Sequence, residues 1–566
     1  MKHVIGRRCN GFGPALRWLV LLVFTGMAGT AAQAQTNQGP LTLSIVSGNN
    51  QTLTPGQTSQ PFIVKAVASN GAPAAAVDID WTISGATGSL ASATTRTDSS
   101  GVTQNTASAI LPAVYQVTAS AKLGGSVTFT FNNAVANLGG LTPAQASVAH
   151  AIDRACPALA TSSSSLTPQQ QDFLGRCSEV VVRSGDPKIP SVLDQMNNNK
   201  AQPQNQLASN INSSQLNNLS VRFAELRQGA QGFSVGGMAF NIDGNALSLG
   251  MLGDAFAKDS SSHDEAGASF SRWGFFVTGM YTSGGFSSTQ ARPGFDFDNA
   301  ALTAGVDYRF SDSLVGGVAF GYNHDSSDLS LNAGGLDVDG YNLTGYFTWY
   351  HANDFYVEGS LGYSWLDYDL KRNIIYQIAS VDGSGGITSV NQVAKASPSG
   401  DTQTASLTLG HDFNGGAWAF SPYLRGTYAH INLDGFRERI DTSGPGSGLA
   451  TAVDARSANS VLGVLGGRLS YTINTSWGVL VPNAVVEWNH EFRDDPQTVV
   501  YRFLSDPTQT PVVITDTRPD SNFFNLGLGL NAVFAQGRSG YVYYEHVAGY
   551  SGAHINRYTL GFRMEF

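Results

Sequence analysis

The chain has 566 residues, 42% of them hydrophobic and only 13% charged, with a formal net charge of −10. That length exceeds one domain, and the acidic balance argues against nucleic acid or an anionic lipid surface as partner. Nineteen of the twenty tyrosines and six of the eight tryptophans follow Phe270, whereas the preceding stretch is rich in Ala, Ser, Asn, Gln and Thr, so two kinds of solvent are expected.

Residues 1–34 read as a signal peptide: Lys2, Arg7, Arg8 and Arg17 precede an apolar run from Trp18 to Gly29, and Ala32-Gln-Ala34 is a small-x-small cleavage pattern. The run is too short to span a bilayer comfortably, which takes about 20 residues. Cleavage after Ala34 removes four basic residues and no acidic ones, taking the charge to −14. No later apolar run reaches spanning length, so any membrane passage is by strands. Cys9 leaves with the signal, and Cys156 and Cys177 remain as one pair in an oxidising compartment, where a disulfide is expected. A zinc site would need more ligands than this neighbourhood supplies, and neither metal nor cofactor is expected.

Residues 36–135 read as a β-sandwich. Short strands at Leu41–Val46, Phe62–Ala68, Val77–Ile83, Val102–Ile110, Tyr115–Ala121 and Ser126–Asn132 are separated by turn residues such as Pro55-Gly56, Asn70-Gly71 and Asp98-Ser-Ser-Gly101. Trp81 is the expected core anchor.

Residues 141–229 read as helical. Thr142-Pro143 and Thr167-Pro168 each place an N-cap before a proline at the first helical position. Val148, Ile152 and Ala155 then recur at helical spacing in one helix, and Phe173, Cys177, Val180 and Val181 in the next, so the two cysteines would staple a hairpin. A third helix, about 206–228, carries Leu216, Leu219, Phe223 and Leu226 on one stripe. Residues 230–270 are a linker containing a further short helical candidate, Ala246–Ala257.

From 271 to 566 twelve segments alternate apolar with small or polar residues: 272–281, 299–310, 313–323, 338–350, 354–370, 401–413, 417–433, 456–472, 476–492, 521–534, 538–547 and 555–566. In the last, Tyr558, Leu560, Phe562, Met564 and Phe566 share one face, and Thr559, Gly561, Arg563 and Glu565 the other. Charges opposite the apolar face (Asp307, Arg309, Glu358, Arg425, Arg468, Glu487) fit a wet lumen rather than a packed core. Aromatics at strand ends, among them Trp273, Tyr281, Tyr308, Tyr322, Trp349, Trp365 and Trp488, fit interfacial girdles. The connections alternate long and short, which puts the short turns and both barrel ends in the periplasm and the long loops outside. If the front half is outside, a segment must therefore thread the pore, and length alone permits either 206–228 or a later stretch. The fold class is mainly β: a twelve-stranded antiparallel transmembrane barrel, an N-terminal sandwich and a short helical region between.

Residues 271–566, through the twelve strands, the opening Phe270-Ser-Arg-Trp-Gly-Phe-Phe-Val-Thr-Gly-Met280 and the closing Tyr558-Thr-Leu-Gly-Phe-Arg-Met-Glu-Phe566, resemble the barrel of the monomeric, type V autotransporter family. That resemblance implies the Gram-negative outer membrane, outer-membrane lipid around the barrel, and passage by way of the secretion translocon, periplasmic chaperones and the barrel-assembly machinery. It implies an assembly signal in Tyr558, Leu560, Phe562, Met564 and Phe566, export of what precedes the barrel, and a pore segment just before the first strand, at 240–268. The run Val64-Lys-Ala-Val-Ala-Ser-Asn-Gly-Ala-Pro73, Val77–Trp81, Thr97-Asp-Ser-Ser-Gly101 and Tyr115-Gln-Val-Thr118 resembles the immunoglobulin-like domain of invasin and intimin type, which implies a surface spacer or adhesin and a host or cell-surface ligand.

Little points to catalysis. Gly232-Phe-Ser-Val-Gly236 matches G-x-S-x-G, but a helix precedes it and no α/β alternation surrounds it. His263-Asp-Glu265 reads as a solvated linker, and the lumen charges read as solvation of a wet interior rather than an ion-selectivity device. The expectation is a non-enzymatic autotransporter displaying a small passenger. The alternatives are a pore or anchor with its front half kept in the periplasm, and an esterase-type passenger built on Ser234.

Overall fold

A computed structural model of the chain describes residues 39–85, 87–162, 164–229, 240–242, 245–247, 273–311, 313–351, 354–534 and 538–565. Residues 1–34, expected to be a signal peptide, Gly232–Gly236 with Ser234, and His263–Glu265 lie outside the described residues, as does Phe566.

Twelve antiparallel strands close into a barrel: Trp273–Phe286, Phe295–Ser311, Leu314–Leu329, Gly334–Tyr350, Phe355–Ala379, Ser399–His411, Trp418–Leu433, Arg456–Tyr471, Gly478–Glu491, Asn522–Phe534, Arg538–Ala548 and Ala553–Glu565, called strands one to twelve below. Strand one pairs with strand twelve from Gly274 opposite Glu565 to Phe286 opposite Ala553, so no edge is left open to lipid. The alternation works as the sequence requires. Leu302, Phe320, Leu343, Leu361, Leu465 and Leu528 point outward and are exposed, while Thr278, Thr303, Asn342, Thr344 and Asn489 point inward and are buried.

Several strands run beyond the apolar alternation. Strand five continues to Ala379 and pairs there with Ile387–Ala396, and strands three and four extend until only residues 330–333 separate them. Backbone ladders do not need an apolar face, so pairing persists where outward positions turn polar and the sequence signal fades. The connections at 434–455 and 492–521 contribute a separate four-stranded sheet, Phe436–Arg437, Thr451–Val453, Thr498–Phe503 and Val512–Thr515.

The helices rest on this outer platform. Helix α1 (Pro143–Ala160) and helix α2 (Pro168–Val182) both start in capping boxes: Thr142 Oγ1 accepts from Gln145 N at 3.2 Å and Gln145 Oε1 from Thr142 N at 2.8 Å, with Thr167 and Gln170 repeating the pattern. Cys156 and Cys177 join the two helices as a disulfide with Cα atoms 5.8 Å apart. The short α3 (Ile189–Met196) was not legible from periodicity. Val148, Ile152, Phe173, Val180 and Leu193 share one buried core with Ile374, Tyr376, Val390, Tyr501, Phe503 and Ile514 of the platform. Asp172 of α2 fixes this contact, accepting from Gly446 N and Gly448 N at 3.0 and 2.8 Å, and within the platform Arg372 pairs with Glu438 at 2.6 Å.

At the N-terminus two sheets pack face to face. Thr42–Ser47, Phe62–Val67 and Val102–Asn105 form one, and Gln51–Leu53, Ser126–Asn133, Ala113–Ala121, Asp78–Ile83 and Thr94–Arg96 the other, around Phe62, Trp81, Val117, Phe129 and Phe131. The single strand expected over Val102–Ile110 breaks at Thr106, and Ala107–Ala109 pairs instead with Gly88–Leu90. Gly101 has φ +75°, and a Cβ there would lie 2.5 Å from Ala66 O, so only glycine fits the turn. Asp153 of α1 holds the end of this unit, accepting from Val135 N and Ala136 N at 2.7 and 3.0 Å; burial pushes its carboxyl up to about 6.

Candidate functional site: the helix-filled pore

Helix α4 (Gln204–Gly229) has 26 residues, about 39 Å at 1.5 Å per residue, enough to cross a barrel whose hydrocarbon belt is roughly 30 Å. Its first turns, with Leu207, Ala208 and Ile211, pack among Phe286, Phe295, Leu336, Leu366 and Ile431, at the end of the barrel that carries the long connections. Its last turns, with Leu219, Phe223 and Leu226, pack on Phe276, Val315, Ala319 and Tyr346, near the short-turn end. Among the described residues the segment in the pore is therefore α4, whereas the 240–268 stretch expected there lies mostly outside the described residues. The physical cause is that the apolar stripe of α4 finds a matching apolar strip on the inner wall of strands one to four. Of the later stretch, Phe240–Ile242 and Asn245–Leu247 pair as strands, so the helix expected from Ala246 does not begin there.

The remaining faces of α4 are polar, and so is the wall they meet. Asn218 Nδ2 donates to Thr303 Oγ1 at 2.9 Å, Thr303 Oγ1 donates to Gln215 Oε1 at 2.9 Å, and Ser214 Oγ donates to Asn299 Oδ1 at 3.1 Å. Arg222 is 1% exposed; its Nε and Nη2 donate to Asp307 Oδ2 at 2.8 and 2.6 Å, and its guanidinium lies 5.1 Å from the Phe276 ring centroid. Tyr346 OH donates to the same carboxylate at 2.9 Å. Asp307 was legible as a lumen charge; its partner was not, although a lone arginine beside an apolar stripe was the available signal.

Between α4 and strands five to twelve lies a cavity of about 190 Å³, room for several waters. This wall neutralises itself. Glu487 accepts from Arg425 Nη2 at 2.8 Å, Tyr423 OH at 2.6 Å and Asn525 Nδ2 at 3.0 Å, and Glu545 pairs with Arg557. Glu487 and Glu545 are thus held in ion pairs rather than merely solvated, and with Glu358 and Arg468 the chamber lining carries three acidic and three basic side chains.

Of the expected assembly face, Tyr558, Leu560 and Phe562 are exposed on the outside, Leu560 at 64%, with Thr559 buried on the inside. The side chain of Met564 and the whole of Phe566 lie outside the described residues.

Residues 275–545 match the family model described as autotransporter beta-domain. The chain is similar to Lipase 1 of Photorhabdus luminescens, 26% identical over 268 residues that make up 47% of this chain and 38% of the relative. It is also similar to Esterase EstA of Pseudomonas aeruginosa, 28% identical over 250 residues, 42% of this chain and 34% of the relative. The chain thus matches less than two fifths of the length of these curated relatives. Among solved structures, the translocator domain of autotransporter NalP from Neisseria meningitidis is 14% identical, with a TM-score of 0.40 over 56% of this chain and 94% of that one. The hydrolase names overturn the expectation that the chain is not an enzyme. That expectation rested on the missing α/β context around Ser234 and on reading His263–Glu265 as a solvated linker, with an esterase-type passenger kept only as an alternative. The matched region is the barrel just described, seated in the outer membrane of a Gram-negative bacterium, and that barrel is an autotransporter beta-domain.

Proposed function

We propose that the barrel exports the chain that precedes it and holds it at the cell surface, with α4 left in the pore as the tether and residues 39–200 displayed as an adhesin or spacer. The observation that carries this reading is the direction of α4: its N-terminal turns sit at the long-connection end, so the preceding chain emerges there. The docking of α1–α3 on the outer platform supports it. Protease added to intact cells should release fragments from residues 39–200 while the barrel stays in the membrane. Full protection of those residues in intact cells, with cleavage only after the outer membrane is opened, would favour retention in the periplasm and overturn the reading.

A second reading, ester hydrolysis by the exported part, is supported by the names Lipase 1 and Esterase EstA. Its test is release of a short-chain acyl chromophore by intact cells, compared with cells carrying the chain with residues 39–200 deleted. Hydrolysis lost on that deletion would establish it, and no release by either would remove it.

A further inference from the structure

On the outer wall, where the apolar belt gives way to polar residues toward the long connections, one hydrogen-bonded group recurs. In strands nine and ten, Trp488 donates its indole N–H to Asn522 Oδ1 at 3.2 Å, and His490 meets the same oxygen through Nδ1 at 2.9 Å. In strands seven and eight, Tyr428 and His430 do the same on Asn459 Oδ1, at 3.0 and 2.7 Å. In strands eleven and twelve, Tyr544 and His546 converge on Asn556 Oδ1 at 2.9 and 3.0 Å. In each case the histidine and asparagine are direct cross-strand partners. Strands three and four repeat the group with a carboxylate, Tyr322 and His324 meeting Asp339 Oδ1 at 2.7 and 2.9 Å. In strands one and two, Tyr281 OH donates to Asp298 at 2.6 Å and Ser283 stands where the histidine would be.

The chemistry is fixed where a partner has a single role. An indole N–H can only donate and a carboxylate can only accept, so in the Trp488 and Asp339 groups the shared atom is an oxygen and the imidazole meets it through Nδ1–H, and the two tyrosine–asparagine groups repeat that geometry. Nε2 is then left as an acceptor. In the three asparagine groups the amide nitrogen adds two N–H donors that no other side chain among the described residues takes up. Below each group the outward residues are apolar, as with Phe320, Val486, Leu526 and Leu560, so the groups sit at the headgroup level of the outer leaflet. The two sides differ in charge. Over strands two to five the rim adds exposed Asp296, Asp328, Asp367 and Asp369, against one cation, Lys371, which lies 3.9 Å from Asp369 and 3.8 Å from Asp337, so the rim stays acidic. Over strands seven to twelve the groups are neutral, and Asp494 in the connection above is paired with Arg518 at 3.3 Å.

We propose that the three asparagine-centred groups over strands seven to twelve form a docking face for outer-leaflet headgroups bearing both phosphate and sugar hydroxyls, while the aspartate-centred rim over strands one to five turns such headgroups away. The amide donors meet phosphate oxygens, and imidazole Nε2 accepts from a hydroxyl. The apolar belt below, already a lipid contact, holds the acyl chains of the same molecule.

The test uses the full chain in phosphatidylcholine nanodiscs doped with a phosphorylated glycolipid or its dephosphorylated form, with retained glycolipid counted by native mass spectrometry. The substitutions Asn459→Asp, Asn522→Asp and Asn556→Asp keep the acceptor that Asp339 provides naturally, so the groups still close, but they remove the donors and add charge. Retention of the phosphorylated glycolipid should fall by about fivefold or more in the triple variant, the loss expected for about 1 kcal/mol of hydrogen bonding. In Asp298→Asn with Asp339→Asn it should rise. Equal retention in wild type and triple variant, or equal retention of phosphorylated and dephosphorylated glycolipid, overturns the proposal. Heat-modifiable mobility of each variant shows that the barrel is inserted, so a lost headgroup site is distinguished from a lost barrel.

Discussion

The membrane belt and the outer platform are built on opposite principles within one chain. In the belt, apolar side chains such as Leu361, Leu528 and Leu560 face outward and polar ones face a helix in the pore. In the platform, Phe173, Val180, Tyr501 and Phe503 are buried between helices and loops, as in a water-soluble protein. The same strands pass from one regime to the other: strand five carries exposed Leu361 low down and buried Ile374 and Tyr376 higher up. Solvent, not backbone, dictates which face is apolar, and backbone pairing is common to both. Two regions stabilised in such different ways should fail separately.

The largest effect is expected at the seam. Deleting Phe566, or replacing Phe562 with Asp, should strongly reduce the amount of heat-modifiable, membrane-inserted barrel while leaving signal cleavage intact, because strand twelve must pair with strand one to close the belt. Wild-type amounts of inserted barrel in both variants would show that the outward aromatics of the last strand carry no assembly role.

Next comes the bond between belt and helix. Arg222→Ala leaves Asp307 buried at 4% exposure without its ion-pair partner, a loss of about 3–5 kcal/mol for a broken buried pair. The heat-modification midpoint should drop and α4 should become open to hydrogen exchange, with α1 and α2 unchanged. Loss of protection in α1 and α2 as well would mean that belt and platform are one cooperative unit.

The platform has its own fastening. Replacing Cys156 and Cys177 with Ala removes a closure of 21 residues, worth about 3 kcal/mol in the chain-entropy model. Amide exchange should rise in α1 and α2 while the belt strands stay protected. Two alkylatable thiols in the native, unreduced protein would refute the pairing.

The smallest effect is graded by pH. Lys200 is buried, donating to Asp194 O and Asn197 O at 2.9 Å each, and burial, reinforced by the Arg372 charge, lowers its pKa to about 7. The folded state thus binds fewer protons than the unfolded chain above pH 7. Platform stability should rise with pH from about 7 toward the ordinary lysine range, by at most about 1.4 kcal/mol per pH unit. Lys200→Met should flatten that slope, as read by exchange at α3 from pH 6 to 9. A slope unchanged by the substitution would assign it to other groups.

All twelve belt strands were legible because lipid imposes a strict two-residue period on one face, and that period survives averaging over a single sequence. Helices α1, α2 and α4 were legible too, the first two from threonine–proline starts and the last from its Leu219, Phe223 and Leu226 stripe. The three-residue strands at Gln51–Leu53, Gly88–Leu90 and Thr94–Arg96 were not, being shorter than one pattern repeat.

By itself, then, the sequence determined the number of strands, their inward and outward faces, the closing aromatic face and the helix starts, since each of these is written in local periodicity and capping chemistry. Tertiary structure decided which helix fills the pore, that Arg222 answers Asp307 across 85 positions, that loops 434–455 and 492–521 join into a sheet under α1–α3, and that an aromatic, a histidine and an Asx side chain meet at one oxygen on hairpin after hairpin. Those facts depend on which surfaces meet once the barrel has closed, and a local pattern carries no record of a partner supplied by a distant part of the chain.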